Sequence, residues 1–551
     1  MKLTEPGYIG KLKVRNRAIM APMISNLANP DGTTNEAHMR YLEERAAGGI
    51  GVVITEYTYV DNINSRGSRN QLGIYDTKMI PKLRRLTEGI HRWGAATFVQ
   101  LVHAGGKASP DINGVESIAP SAMKYFNHMA REMTQEDISR VQESFVTAAK
   151  LAQASNFDGV ELHGAHGYLI HQFLSPATNK RTDKYGGSFE NRLRFVQEII
   201  DGIRSETNFV LGIRLSLFEY DQDGYGPDYG LKIANSLKGI DYVHFSAGRN
   251  APPGSSAPFY YEHNHILKEL KGRIEKTSVV VGSVTTVEDA EEVLKTADFV
   301  ALGRALLADP HFVRKASTAP ERIRPCIRCN QACRDLSYGE VRCTVNPDTG
   351  FENRVTPKPR LRGEMAIVGG GVKGMEAALT ARSYGLKVIL YEREDSLGGQ
   401  LQEVIDPWKK VEFDRLISYY QHMLKRRGVE ISLGTEYRGS GVYCLPDEVY
   451  PELPQSSEIS IDSNVYKYHD LALSLAERGE VIMSNRSLGN LDRGRAEAFR
   501  RIAEERGVKF VDNFDFKFSL MVKDQYDIMK AMISGRRTAM EYLQSNIEDY
   551  S

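Results

Sequence analysis

The sequence predicts an α/β chain in three parts: an N-terminal (β/α)8 (TIM) barrel, a cysteine-rich segment, and a second α/β module at the C-terminus. Three observations predict it. Eight short apolar runs alternate with helix-period stretches over residues 1–310, four of the five cysteines crowd into residues 326–343, and a glycine-rich turn joins a strand to a helix just after residue 365.

At 551 residues the chain is too long for one hydrophobic core, so several domains are expected. Apolar and charged fractions of 41% and 26% are those of an ordinary globular protein. Lys plus Arg equals Asp plus Glu, 71 against 71, so net charge gives no pointer to nucleic acid or to an anionic membrane. No apolar run approaches the ~20 residues that span a bilayer. The opening MKLTEPGYIGKLKVRNR lacks the apolar stretch of a secretory signal. These features predict a soluble, cytoplasmic protein with neither nucleic acid nor membrane as partner, and they leave the oligomeric state open.

The barrel rests on its strand candidates: Ala18–Ala21, Gly51–Thr55, Thr97–Leu101, Gly159–Leu162, Val210–Leu215, Tyr242–Ser246, Val279–Gly282 and Phe299–Leu302. Between them lie helical patterns such as EAHMRYLEERAAGG, RVQESFVTAAKLAQAS and ENRLRFVQEIIDGIRSE. Strands alternating with helices specify a parallel sheet with helices outside. Eight units over this length fit a barrel, with its active site at the C-terminal ends of the strands. A doubly wound open sheet is the alternative, but no glycine-rich phosphate turn follows the first strand. The barrel is assigned to residues 1–320.

The second part, 321–364, holds Cys326, Cys329, Cys333 and Cys343 in the spacing C-x2-C-x3-C-x9-C and runs into a linker. A disulfide scaffold would scatter its cysteines through a short secreted chain, whereas clustering in a long one points to metal. Three thiolates on one tight loop plus a fourth nearby can close an iron–sulfur site. Four thiolates also make a zinc site, but zinc knuckles usually show two C-x2-C pairs, so the spacing favours the cluster. Cys444 stands alone and reads as an incidental thiol.

The third part opens with the strand AIV, the turn Gly369-Gly370-Gly371-Val372-Lys373-Gly374, the helix GMEAALTARSYG and the strand KVILYE ending at Glu392. This is a Rossmann-type fingerprint: Gly369, Gly371 and Gly374 let a pyrophosphate approach the helix N-terminus, and Glu392 takes a ribose hydroxyl. Gly398-Gly399-Gln400 adds a further turn near the cofactor, Gly399 and Gln400 fitting FAD better than free NAD. The alternative is a glycine turn kept by a fold that no longer binds. The module divides into an FAD-type unit at 365–455, an NAD(P)-type unit at 456–512 and a return to the FAD-type unit at 513–551.

The barrel segment VELHGAHGYLIHQFLSPATNKRTDKYGGSFENR resembles the signature stretch of the old yellow enzyme family, as do APM at 21–23, FVQLVHAGG at 98–106, GIRLS at 212–216, VVVGSV at 279–284 and FVALGRALLADP at 299–310. With CIRCNQAC and the GGG turn, the resemblance is to the multidomain branch typified by 2,4-dienoyl-CoA reductase, 2-enoate reductase and trimethylamine dehydrogenase. It covers residues 1 to about 430 and is faint thereafter.

The resemblance implies FMN in the barrel mouth, with Pro22 and Met23 beside the flavin, Gln100 on its pyrimidine edge and Arg214 near N1–O2. Gly282, Ser283, Gly303 and Arg304 would take the phosphate, in keeping with the habit of the loops after strands seven and eight. His163 and His166 would hydrogen-bond a substrate carbonyl, stabilising charge that develops as hydride reaches the β-carbon. Tyr168 would deliver the proton to the α-carbon. The cysteines would hold a 4Fe-4S cluster.

Four departures qualify this. Ile24 stands where many relatives tune the flavin with Cys, Thr or His. HFSAGRNAPPG carries no histidine after His244. No cysteine lies near 24–40 to anchor FMN covalently. In the C-terminal module, Asp462 to Lys467 stand where the second unit's glycine turn belongs, DEVYPELP replaces an Ala-Thr-Gly turn, and the late Gly-Asp of the FAD ribityl contact is missing.

The expected activity is flavin-dependent reduction of a C=C conjugated to a carbonyl, with a small unsaturated carbonyl compound as substrate. A flavin dehydrogenase of an amine or alcohol is the first alternative, and an active barrel whose C-terminal half has become a protein-docking scaffold the second. NAD(P)H stacking directly on the barrel FMN, or an electron-carrier protein docking near the cluster, is expected to supply electrons.

Overall fold

The computed structural model describes residues 1–250, 258, 260–270, 272–334, 339–354, 358–404, 406–446, 450–453, 458–491, 493–523 and 527–546. Eight parallel strands close into a barrel: β1 Ala18–Met20, β2 Val52–Tyr59, β3 Ala96–Val102, β4 Gly159–Gly164, β5 Val210–Ser216, β6 Tyr242–Ser246, β7 Ser278–Val280 and β8 Phe299–Leu302. Each sequence candidate lies on one of them. Strands such as β1 and β8 are buried along their whole length, which is why they read as unbroken runs rather than alternating ones.

The outer helices repeat one logic. α1 (Glu36–Ala47) is capped by Asn35. α2 (Gln135–Ala154) starts at a Thr134–Asp137 capping box and buries Ile138, Val141, Phe145, Ala149 and Ala152 on one stripe. α3 (Phe189–Glu206) starts at Ser188. A hairpin of Gly7–Ile9 and Leu12–Val14 stoppers one end of the barrel, where Ile9 and Val14 join Ile19, Phe98, Tyr242 and Phe299. Only the end bearing the C-termini of the strands stays open.

Beyond the cysteine segment come two parallel sheets. The first holds β9 Glu364–Val368, β10 Lys387–Tyr391, β11 Glu430–Ser432 and β12 Val442–Tyr443, in the order β11-β10-β9-β12. α4 (Val372–Ser383) follows β9, and α5 (Pro407–Arg426) precedes β11. The second sheet holds β13 Glu458–Ser463, β14 Glu480–Ser484, β15 Val508–Val511 and β16 Phe518–Leu520, in the order β15-β14-β13-β16. Its helices are α6 (Tyr466–Leu475) and α7 (Arg493–Glu505).

β16 corrects a boundary. The second unit runs past residue 512, because Phe518–Leu520 pairs with Ile461–Ser463 of β13. A three-residue strand carries too little period to be read from sequence. The return to the first sheet is made by α8 (Ile528–Asn546), which packs on α4. Gly535 permits that contact, since a Cβ there would lie 2.2 Å from the Lys373 carbonyl oxygen. No helix of the described residues is long and apolar enough to cross a membrane.

Candidate functional site

The open end of the barrel holds a cavity of about 830 Å³. Of the residues singled out in the barrel, Pro22, Met23, Gln100, His163, His166, Tyr168, Arg214, Ser283, Gly303 and Arg304 all border it. They come from the ends of β1, β3, β4, β5, β7 and β8, which only barrel closure brings together. Gly282 stands one residue behind, its carbonyl taken by the Asn264 N–H at 3.0 Å.

Arg214 is the most telling. It is 4% exposed, yet its contacts are two long ones, 3.4 Å to the Pro22 carbonyl and 3.4 Å to Ser246 Oγ. Its Nε has no hydrogen-bond partner. Burial pulls its pKa down to about 10, against the field of Glu161. A desolvated cation left so poorly matched marks a place where a ligand supplies acceptors.

Glu161, at the barrel centre, sorts its neighbours. It accepts from Gln100 Nε2 at 2.7 Å and Tyr242 Oη at 2.9 Å, and pairs with His244 Nδ1 at 2.9 Å. The Gln100 amide is thereby fixed with its carbonyl oxygen free to accept. His244, the last histidine of its stretch, is thus occupied within β6. Residues 251–254 of HFSAGRNAPPG lie outside the described residues, as do 447–449 and 454 of DEVYPELP.

The histidine loop is tightly held. His163 Nδ1 accepts from the Ala165 N–H at 3.3 Å, which leaves Nε2 as its donor. His166 takes a left-handed φ of +57° and its Nε2 meets Ser246 Oγ at 2.7 Å. The two rings stand 5.3 Å apart at 88°, with Tyr168 4.7 Å from His163. Burial first, then Arg214, depresses both imidazoles well below 6.5. Both are neutral hydrogen-bonding groups near pH 7. Burial raises the Tyr168 pKa while Arg334, Tyr57 and Arg214 pull it back.

After β7, Ser283 has a φ of +52°. Arg304 reaches Ser283 Oγ at 3.2 Å and Asn330 Oδ1 at 2.7 Å, so one guanidinium spans the barrel loop and the cysteine loop. None of the five cysteines forms a disulfide. Cys326, Cys329, Cys333 and Cys343 surround a cleft of about 10 Å³, and Cys333 also borders the barrel cavity. Left-handed turns at Arg328 and Asn330, φ +54° and +55°, fold the first three onto one side. Burial pushes the Cys326 and Cys343 thiols up and Cys333 to about 12. Among the described residues, no three ligating side chains are gathered as closely as a single metal ion requires.

In the first Rossmann unit Gly369 has a φ of +110°, and a Cβ on Gly374 would lie 1.9 Å from the Gly369 oxygen. A Cβ on Gly371 would meet nothing within 4 Å, so the turn is open on that side. Glu392 accepts from the Gly370 N–H at 2.6 Å, and Gly399 (φ +51°) lies against Gly371, with exposed Gln400 beside it. Cys444 is buried under the same turn.

Residues 2–321 match the NADH:flavin oxidoreductase / NADH oxidase family, and residues 364–415 match FAD dependent oxidoreductases. The chain belongs to the NADH:flavin oxidoreductase family. It is 38% identical to an NADH oxidase of Thermoanaerobacter brockii, over 81% of this chain and 72% of that one. It is 31% identical to a cinnamate reductase of Clostridium sporogenes, over 87% and 78%. The fold of 2-naphthoyl-CoA reductase superposes with a TM-score of 0.90 at 22% identity, over 98% of this chain and 99% of that one.

This flavin oxidoreductase also carries site residues that sequence reasoning missed. Tyr57 enters the cavity because β2 shifts register between Ile54 and Tyr57, and its ring stands 5.3 Å from Tyr168. Lys107 and Arg334 border the same space. Lys107 directly follows the FVQLVHAGG match, so its position was visible but its direction was not.

In the second unit the place of the pyrophosphate turn is filled from within. Ser463 N–H bonds Ser487 Oγ at 3.0 Å, and Asn464 exchanges bonds with Val522 at 2.7 and 2.9 Å. Asp462 pairs with Arg486 and accepts from Ser519 at 3.1 Å.

Proposed function

We propose that this flavin oxidoreductase is an FMN-dependent ene-reductase acting on a C=C conjugated to a carbonyl. The observation that carries the reading is the convergence, in one cavity, of two neutral histidines, a half-buried tyrosine and a poorly matched buried guanidinium. Arg214 would hold the pyrimidine edge of FMN with Gln100, Pro22 and Met23 would lie beside it, and Gly282, Ser283, Gly303 and Arg304 would take its phosphate. FMN bound there supplies hydride to the substrate β-carbon.

The chain's own residues do the rest. His163 donates through Nε2 to the substrate carbonyl, with His166 beside it, so negative charge on that oxygen meets fixed donors in a water-poor site. Tyr168 gives its phenolic proton to the α-carbon. The phenolate left behind is stabilised by Arg334, by Tyr57 and by Arg214, the groups that pull its pKa down. Cinnamate reductase, by its name, reduces an unsaturated acid, which supports this direction.

Cys326, Cys329, Cys333 and Cys343 would hold a 4Fe-4S cluster, which supplies one-electron transfer. The spacing, with three of the four cysteines on one loop, supports the cluster over zinc. Gly369, Gly371, Gly374 and Glu392 would hold FAD. The stapled tip of β13 supports a second unit that no longer binds NAD(P)H, leaving NAD(P)H at the barrel FMN or a carrier protein as donor.

The test is Tyr168→Phe. Reduced holoenzyme should be reoxidised by cyclohexenone about 10²–10⁴-fold more slowly in the variant, with flavin reduction intact. A wild-type enzyme that cyclohexenone does not reoxidise would refute the reading.

A further inference from the structure

One charged group on the cavity wall has no part in the roles above. Lys107 follows β3, and its Nζ donates to the carbonyl oxygens of His166 and Arg249, 2.8 Å each. It stands 5.7 Å from the centre of the Tyr168 ring. Gly167, with φ +71°, makes room for it, since a Cβ there would lie 2.8 Å from Nζ. The ammonium is therefore fixed in place, with one of its three donors left over.

Two carbonyl dipoles do not neutralise a cation, and the acids nearby are engaged elsewhere. Arg249 holds Asp221 at 3.0 Å and Asp223 at 2.7 Å, and Glu219 faces His171 at 3.1 Å. Among the described residues no carboxylate lies within ion-pair distance of Lys107, and Asp221 is the one acid whose field acts on it. Arg334, at the cavity mouth just after Cys333, adds a second cation that acts on both Lys107 and Tyr168. Lys107 carries its charge in a desolvated place without a carboxylate partner, with the exposed Arg334 adding to the positive field, and a ligand that brings the opposite charge removes that cost.

We propose that Lys107 and Arg334 form an anion subsite, which takes a carboxylate that the substrate carries in addition to its conjugated carbonyl. The inference rests on the ene-reductase reading. The carbonyl belongs to the histidine pair, with His163 4.7 Å from the Tyr168 ring, and the subsite borders the same proton donor through Lys107. One free ammonium donor and a guanidinium edge match a carboxylate, while a phosphate would call for more donors than this wall offers. An unsaturated ketone or ester bearing a separate acid group is the substrate class that fits.

The experiment compares (E)-6-oxo-6-phenylhex-4-enoate with its methyl ester: two methylenes insulate the acid from the alkene, so both present the same ketone-conjugated double bond. The rate constants for reoxidation of the reduced holoenzyme should favour the acid by about tenfold or more. In Lys107→Met and in Arg334→Gln that ratio should fall towards one, and Lys107→Arg should restore part of it. Losses common to both compounds, such as those from a loosened His166 loop, cancel in the ratio. A wild-type ratio near one, or an unchanged ratio in Lys107→Met, overturns the subsite. If neither compound reoxidises the enzyme, the ene-reductase reading fails, and the subsite is then decided by benzoate against benzamide binding, followed in the flavin absorbance. Tighter benzoate binding that Lys107→Met abolishes upholds it, and equal binding overturns it.

Discussion

Replacing Arg214 by Met should move two observables in opposite directions. In the protein alone, burial brings the guanidinium pKa to about 10, a drop of more than a hundredfold in proton affinity, or about 3 kcal/mol. For a base whose folded pKa is depressed, the unfolded state binds the proton more tightly, so the charge opposes folding at every pH below about 10. Glu161 loses an attractive field in the variant but keeps its contacts with Gln100, Tyr242 and His244. The apoprotein should therefore gain about 1–3 kcal/mol in urea unfolding at pH 7. FMN, by contrast, should lose a charge-assisted contact of about 1.5–3 kcal/mol, which weakens its binding about 10- to 150-fold. Fluorescence quenching of FMN titrated with apoprotein measures the second effect. An Arg214→Met protein that binds FMN as tightly as wild type, or whose apo form is less stable, would refute the reasoning.

Other outcomes follow from the same geometry. Anaerobically purified protein should contain about four irons and four acid-labile sulfides per chain, and Cys343→Ser should lose them, whereas one zinc without sulfide would decide for the other metal. NAD(P)H should compete with a phenol that occupies the barrel mouth, and binding that persists undiminished would mean the second Rossmann unit is functional. Binding of neutral enones should not change as pH falls through 6.5, the ordinary imidazole value, because burial and Arg214 hold His163 and His166 well below it. The preference for acid over ester should instead fall as pH rises through Lys107, which burial, Arg249 and Arg334 hold at about 7 against Asp221. It is protonated below that value and neutral above it. A ratio independent of pH would exclude Lys107 as the charge.

The sequence by itself determined the barrel and its contents to a large degree. Parallel strands buried on both faces must read as apolar runs, and helices outside them must read as amphipathic stripes, so β1–β8 and α1–α3 were legible from local pattern. The Gly369–Gly374 turn was legible because a close helix N-terminus demands glycine at fixed offsets. The tertiary structure alone decided the rest. β16 has three residues and no readable period, and its place comes from the free edge of β13 that it pairs with. Tyr57 enters the cavity through a register shift that depends on the neighbouring strand. Lys107 gains a role because Gly167 and the carbonyls of His166 and Arg249, from loops far apart in the chain, hold its ammonium beside Tyr168. Which charges lack a partner is a property of the folded neighbourhood, since pairing is set by distances in space that local sequence does not encode.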